Sequence, residues 1–294
     1  MSDTIEPKEI MKTARGFMLS KTLLMANELG VFEALGRGSE SAAVVADKIL
    51  LSEKGIERLL NALCSIGMLT KEGDVYSLPE SLREYLLRDG DASLNNYLNL
   101  YAHFWNVWSD MKTVIRDGEP AKSMMELLSK DEDTKEMFIT AMADRSREAT
   151  RLIPQVVDIS AKKNMIDVGC GPGTYSFEWM KTYPGLKATL LDIEPALEVA
   201  KRYKQVYGIG NEATFMPGDF RDTDLGNESY DLALVANLLQ MYGADDNIKL
   251  LSKVYNALTT GGMVIIHGYT LDDSETEPLG SALQPSPPKV MPTS

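Results

Sequence analysis

The densest chemical signal in the chain is the stretch Asp167 to Ser176, D-V-G-C-G-P-G-T-Y-S, where Gly169, Gly171 and Gly173 alternate with other residues. An apolar run precedes it and a helix-like segment follows. Glycines in such a loop let a ligand lie against bare backbone. The spacing is not the G-x-G-x-x-G of dinucleotide sites, because neither Thr174 nor Ser176 is the missing glycine. No G-K-[ST] is present, which excludes a phosphate-clasping P-loop. Two acids follow in order. Asp192 closes the next apolar run, about one strand–helix–strand unit downstream, where a carboxylate accepts from both hydroxyls of a ribose. Asp219 comes next in P-G-D-F, where a carboxylate accepts from an adenine amino group and Phe220 stacks or packs on the ring. Singly, each acid reads as a surface or capping residue. In order, at the ends of successive strands, they read as a nucleoside site.

The elements that must position these residues follow from periodicity. From Asn164 onward, β-type runs at 165–168, 188–192, 213–217, 231–236 and 263–267 alternate with helix-length segments. That alternation predicts an α/β domain with a parallel sheet, right-handed crossovers and a ligand where the strand order reverses. Residues 8–88 read differently. A first helix ends near Gly30, a second covers 41–49, a third starts at Ser52 as N-cap and stops before Gly67, and a hairpin turns at Glu72-Gly73-Asp74. Three helices and a hairpin give the order of a winged helix. Residues 92–160 read as helical. In Y-L-N-L-Y-A-H-F-W-N-V-W, the side chains of Tyr97, Tyr101, Phe104 and Trp108 share one stripe, either core or the aromatic wall of a pocket.

The 294 residues are 44% hydrophobic and 25% charged, an ordinary globular composition with room for two modest domains. No apolar run approaches a membrane span. The N-terminus, M-S-D-T-I-E-P-K-E-I, is not a secretory signal. Cys64 and Cys170 sit in contexts with no reason to pair, so a reduced cytoplasmic protein is expected. The net charge is −13, and residues 1–90 hold 11 Lys and Arg against 14 Asp and Glu. That balance speaks against DNA contact by the winged helix and against nucleic-acid binding generally. Apolar residues on several faces of the first helix fit a dimer interface instead.

The motifs M-I-D-V-G-C-G-P-G-T, L-L-D-I-E, M-P-G-D-F and A-L-T-T-G-G-M-V-I-I resemble, in sequence, those of the S-adenosylmethionine-dependent methyltransferases. With the winged-helix-like N-terminus, the chain resembles over roughly residues 8–282 the dimeric O-methyltransferases of the caffeate and hydroxyindole type. The resemblance implies a Rossmann-like methyltransferase domain preceded by an α-rich winged-helix dimerisation domain, a homodimer and a small, aromatic or apolar acceptor. It implies S-adenosylmethionine held by Asp167, Gly169, Gly171, Gly173, Asp192, Ile193, Gly218, Asp219, Phe220 and Asn237. It also implies an acceptor pocket from Tyr101, Trp105, Trp108, Met142, Met241 and Tyr242, with no metal. The domains are expected at 1–91, 92–160 and 161–270, with a tail at 271–294.

The chain departs from the family in two places. Many members carry a histidine base in a motif like L-H-D-W after the fourth strand. Here the stretch is N-L-L-Q-M-Y-G, and Gln240 takes that position. An amide orients a substrate but does not take its proton. After the fifth strand, Gly268 stands where many members place an acid. His103 and His267 are then the candidate bases, or the acceptor is a thiol, acidic phenol, carboxylate or stabilised carbanion that needs little help. The ending also differs. Family members continue past T-E-P-L-G-S-A-L, whereas Q-P-S-P-P-K-V-M-P-T-S follows here. A sheet of five parallel strands is expected, with a tail over 271–294 that is mostly disordered or held by a partner. The alternatives are a non-catalytic cofactor-binding or dimer-partner protein and a winged-helix transcriptional regulator.

Overall fold

The computed structural model describes residues 6–109, 111–117, 132–274 and 276–282. The chain divides into two compact units, residues 1–110 and 111–294. In the first, α1 (Pro7–Glu28) starts at a proline and stops where Gly30 turns left-handed with φ 75°. It is followed by α2 (Val31–Leu35), β1 (Ser39–Ser41), α3 (Ala42–Lys48), α4 (Glu53–Ser65), β2 (Thr70–Glu72), β3 (Val75–Ser77), α5 (Glu80–Leu86) and α6 (Asn95–Ser109). The expected hairpin is β2–β3, turning at Gly73 with φ 58°. The sequence reading missed β1, three residues that pair with β3 and make the order β1-β3-β2. Ser52 holds the N-cap position of α4 without a side-chain bond, whereas Ser41 caps α3 by accepting from Val44 N at 3.3 Å.

The core of this unit gathers Val31, Phe32, Leu35, Val45, Leu60 and Leu63 around Tyr76. α1 contributes little to it in its first half. Ile10, Met11, Phe17, Met18 and Leu19, on several faces of the helix, are all exposed and have no apolar cover within the described chain. Where α1 meets α6 the contact is polar. Buried Asn27 donates to the Asn95 carbonyl at 3.1 Å and to Asn99 Oδ1 at 2.7 Å, and accepts from Asn95 Nδ2 at 2.9 Å. Replacing one member leaves buried amide groups unmatched, so Asn27→Ala is expected to lower stability by about 2 kcal/mol, read as a shift of the urea midpoint.

The second unit begins with α7 (Met111–Asp117) and α8 (Glu132–Val156). The stretch 92–160, read from the sequence as helices with a break at Asp117-Gly118-Glu119-Pro120, is shared, with α6 in the first unit and α7 and α8 in the second, and 118–120 lie outside the described residues. There follow β4 (Asn164–Val168), α9 (Thr174–Thr182), β5 (Lys187–Asp192), α10 (Glu194–Tyr207), β6 (Ala213–Pro217), β7 (Tyr230–Ala236), α11 (Ala244–Ala257), β8 (Leu258–His267) and α12 (Leu279–Ala282). Each expected strand is present, within one residue at its ends except β8, which begins earlier and crosses a register shift opposite Tyr230 and Leu232. All pairings are parallel in the order β6-β5-β4-β7-β8, so the order reverses on either side of β4. Both faces are covered by apolar clusters, one around Phe177, Trp179 and Leu190, the other around Ile166, Val235 and Leu250. This is the burial a parallel sheet requires.

The expected tail is partly folded. Asp272 closes a turn, its Oδ1 accepting from Thr276 N and Glu277 N at 3.1 Å each, before the short α12. Residues 283–294, the proline-rich part of that expectation, lie outside the described residues.

Candidate cofactor and acceptor site

The carboxyl ends of β4, β5, β6, β7 and β8 bring together most of the residues singled out in the sequence. The glycine loop leaves β4 and is sewn to β5, with Gly169 N and Cys170 N both donating to Leu191 O at 2.8 and 3.2 Å. Its glycines do different jobs. Gly173 has φ 77°, and a Cβ there would stand 2.6 Å from the Phe177 ring and 2.8 Å from Leu190. A Cβ on Gly169 would press on Leu238 at 3.0 Å. Gly171, with φ 54°, has nothing within 4 Å on its Cβ side. Only this third position offers bare backbone to open space. The other two let the loop pack on its own domain.

Asp192 lies beside Gly171. Its Oδ2 accepts from Gly171 N at 2.8 Å and its Oδ1 from Ile193 N at 2.7 Å. Burial pushes this carboxyl above its ordinary value, the two backbone donors pull it down, and the charge of Asp219 raises it further. Asp167 takes a different part. It is 1% exposed and its Oδ2 accepts from Ser176 Oγ at 2.6 Å, so it braces α9 behind the loop. Burial raises its pKa to about 7. Thr174 Oγ1, at the start of α9, is buried without a hydrogen-bond partner among the described residues.

After β6, Gly218 N donates to Asp192 O at 3.0 Å, which fixes the two acid loops together. Asp219 is engaged by Arg221, whose Nε lies 3.0 Å from each carboxylate oxygen, and this pairing holds the carboxyl below its usual range. Phe220 turns inward. It is buried among Leu225, Leu238 and Leu250 and meets Tyr242 edge-on at 4.8 Å. Arg221 lies 5.5 Å over the Tyr242 ring, so the outer wall here is Arg221 and Tyr242. Met241 is exposed beside them.

The ends of β7 and β8 form a polar cluster. Asn237, in a left-handed conformation with φ 54°, donates from its backbone to His267 O at 2.6 Å. Its Oδ1 accepts from Arg145 Nη2 at 2.8 Å. Tyr175 OH lies 2.9 Å from His267 Nδ1, and burial pushes the Tyr175 hydroxyl up to about 12. Burial and the Arg145 charge lower the pKa of His267. Gln240 sits in a single 3-10 turn and its Oε1 accepts from Tyr269 N at 3.1 Å. A Cβ on Gly268 would stand 2.8 Å from that oxygen. The amide and the glycine therefore fit each other, and Gln240 ties the loop after β7 to the loop after β8.

The remaining candidates divide between the units. Met142 stands one turn before Arg145 on α8, its sulfur 3.9 Å from Nη1. Tyr101, His103, Trp105 and Trp108 belong to α6 in the first unit. There Tyr97 and Tyr101 pair through hydroxyls 3.1 Å apart, Lys21 lies 4.9 Å over Trp105, and Tyr101 and Trp108 are exposed. Sequence reasoning missed Arg145, Tyr175 and Arg221.

A model of the O-methyltransferase domain matches residues 108–289, and one of the O-methyltransferase dimerisation domain matches residues 11–87. The chain belongs to the O-methyltransferase family. Bovine acetylserotonin O-methyltransferase is 29% identical over 287 residues, covering 92% of this chain and 82% of that one. A human probable bifunctional dTTP/UTP pyrophosphatase/methyltransferase protein is 28% identical over 281 residues, 92% of this chain but 45% of the longer protein. The crystal structure of human N-acetylserotonin methyltransferase in complex with SAM superposes with a TM-score of 0.83 at 26% identity, covering 95% of this chain and 85% of that one. In this methyltransferase no helix among the described residues is long and apolar enough to cross a membrane, and Cys64 and Cys170 are free.

Proposed function

We propose that this chain is an S-adenosylmethionine-dependent methyltransferase acting on an oxygen of a small, aromatic or apolar acceptor. The observation that carries the reading is the carboxylate of Asp192 beside the open backbone of Gly171. Asp192 accepts from the ribose hydroxyls and Asp219 from the adenine amino group. Gly171 gives the amino-acid part of the cofactor close approach to the backbone, and Thr174 Oγ1 supplies a further polar partner in the loop. Bound there, the cofactor supplies a methyl group already activated by the positive sulfur. The protein's own part is to hold the acceptor oxygen in line with that methyl and to exclude water. Asn237, Gln240 and His267 flank the acceptor end, and Met142, Met241 and Tyr242 line it. The exposed apolar face of α1 joins two copies into a homodimer, which works in the reducing cytoplasm.

Calorimetric titration with S-adenosylmethionine and S-adenosylhomocysteine tests this reading. Micromolar dissociation constants are expected, since charge-assisted bonds from two acids each contribute on the order of 1.5–3 kcal/mol. Absence of binding to the folded protein would refute it. Binding of both nucleosides with no acceptor-dependent release of S-adenosylhomocysteine would favour the non-catalytic reading, which the neutral Gln240 and its bond to Tyr269 N support.

A further inference from the structure

Arg145 is a half-buried cation near the middle of α8, and none of its described partners is an acid. Nη2 donates to the neutral amide of Asn237 at 2.8 Å, the guanidinium lies 4.6 Å over the Tyr269 ring, and among the described residues Nη1 meets only the Met142 sulfur at 3.9 Å. No carboxylate of the described residues forms an ion pair with it. The neighbouring arginines differ, since Arg147, Arg202 and Arg221 pair with Asp144, Glu136 and Asp219. In a protein of net charge −13, acids are abundant, yet this cation is held by an amide and an aromatic face. An arginine does not shed its proton to escape burial, so its charge and free donors are left for an anion.

Its position adds the chemistry. Asn237 and Tyr269 flank the ends of β7 and β8, and Gln240, in place of a base, bonds Tyr269 N. We propose that Arg145 binds the acceptor as an oxyanion, a carboxylate or an acidic phenolate, and takes over by charge the activating role of a general base. This rests on the methyltransferase reading above. In the transfer, a lone pair of the oxyanion forms the new bond to the methyl carbon as the carbon–sulfur bond breaks, and the bonding pair stays on sulfur. A carboxylate arrives already ionised. A phenol loses its proton to solvent, and Arg145 holds the anion that remains. The lowered pKa of His267 fits this division of labour, because burial first and the Arg145 charge second make that ring a poorer base.

The test is binding to protein saturated with S-adenosylhomocysteine, using 2-naphthoate, its neutral counterpart 2-naphthamide, and 4-nitrophenolate. At least one anion should bind about tenfold or more tightly than the amide, the worth of one charge-assisted contact. Naphthoate alone would identify a carboxylate acceptor, and nitrophenolate alone a phenolate. Arg145→Gln should abolish the preference while affinity for S-adenosylhomocysteine stays within roughly threefold, and Arg145→Lys should restore part of it. Equal binding of anions and amide overturns the proposal, as does a preference that survives in Arg145→Gln. So does failure of every probe to bind the loaded protein. Failure of S-adenosylhomocysteine itself to bind would instead bring down the methyltransferase reading and this proposal with it.

Discussion

Asp192→Ala should weaken S-adenosylhomocysteine binding about 100-fold, roughly 2.7 kcal/mol, the worth of charge-assisted bonds to two ribose hydroxyls. The carboxylate is already fixed by Gly171 N and Ile193 N, so binding orders no side chain and little of the interaction is lost to entropy. The loss should not reflect unfolding. Burial raises this carboxyl in the folded state, so the ionised form costs stability. A raised carboxyl favours folding below its unfolded pKa and loses that advantage as pH rises through the folded value. Near neutral pH, removing the charge relieves the fold, while Asp192→Asn keeps one acceptor oxygen and leaves the other backbone donor unmatched, so the two effects oppose and its melting temperature should stay within about 4 °C of the parent's. Calorimetry beside thermal unfolding separates the two effects. Unchanged affinity in Asp192→Ala would remove this residue from the site.

The parallel sheet was legible because alternating strand and helix leaves little choice, and the strands at 165–168, 188–192, 213–217 and 231–236 fall within a residue of their observed ends. The winged-helix order was legible for the same reason, through Gly30, Gly67 and Gly73, all at positive φ. Other features have no signal in one dimension. The three residues of β1 pair only because β3 lies beside them. Phe220 was read as stacking or packing on a ring, and its place among Leu225, Leu238 and Leu250 has no signal in the sequence. Arg145 sits in D-R-S-R-E, which reads as the solvated face of a helix. Its contact with Asn237 spans 92 residues of chain. Gln240 was legible as a missing base but not as a brace, because its partner is a backbone N–H beyond β8.

The second large effect separates two glycines that the sequence presents as equals. Gly173→Ala should destabilise the second unit by about 3 kcal/mol, combining a left-handed conformation at roughly 1 kcal/mol with overpacking of a closed core at about 2. Its methyl would meet the ring of Phe177 and the side chain of Leu190, both fully buried, with nowhere to move. The melting temperature should fall by about 10 °C for a unit of this size. Gly171→Ala meets nothing within 4 Å and carries only the conformational cost, roughly 1 kcal/mol. Its methyl points into the space assigned to the cofactor, so affinity for S-adenosylhomocysteine should fall about tenfold or more from lost close approach. The crossed pattern is the test, with one variant unstable and the other stable but weak in binding. Equal destabilisation by both, with no separate loss of affinity in Gly171→Ala, would mean that the loop serves the fold alone and that the cofactor backbone contact lies elsewhere.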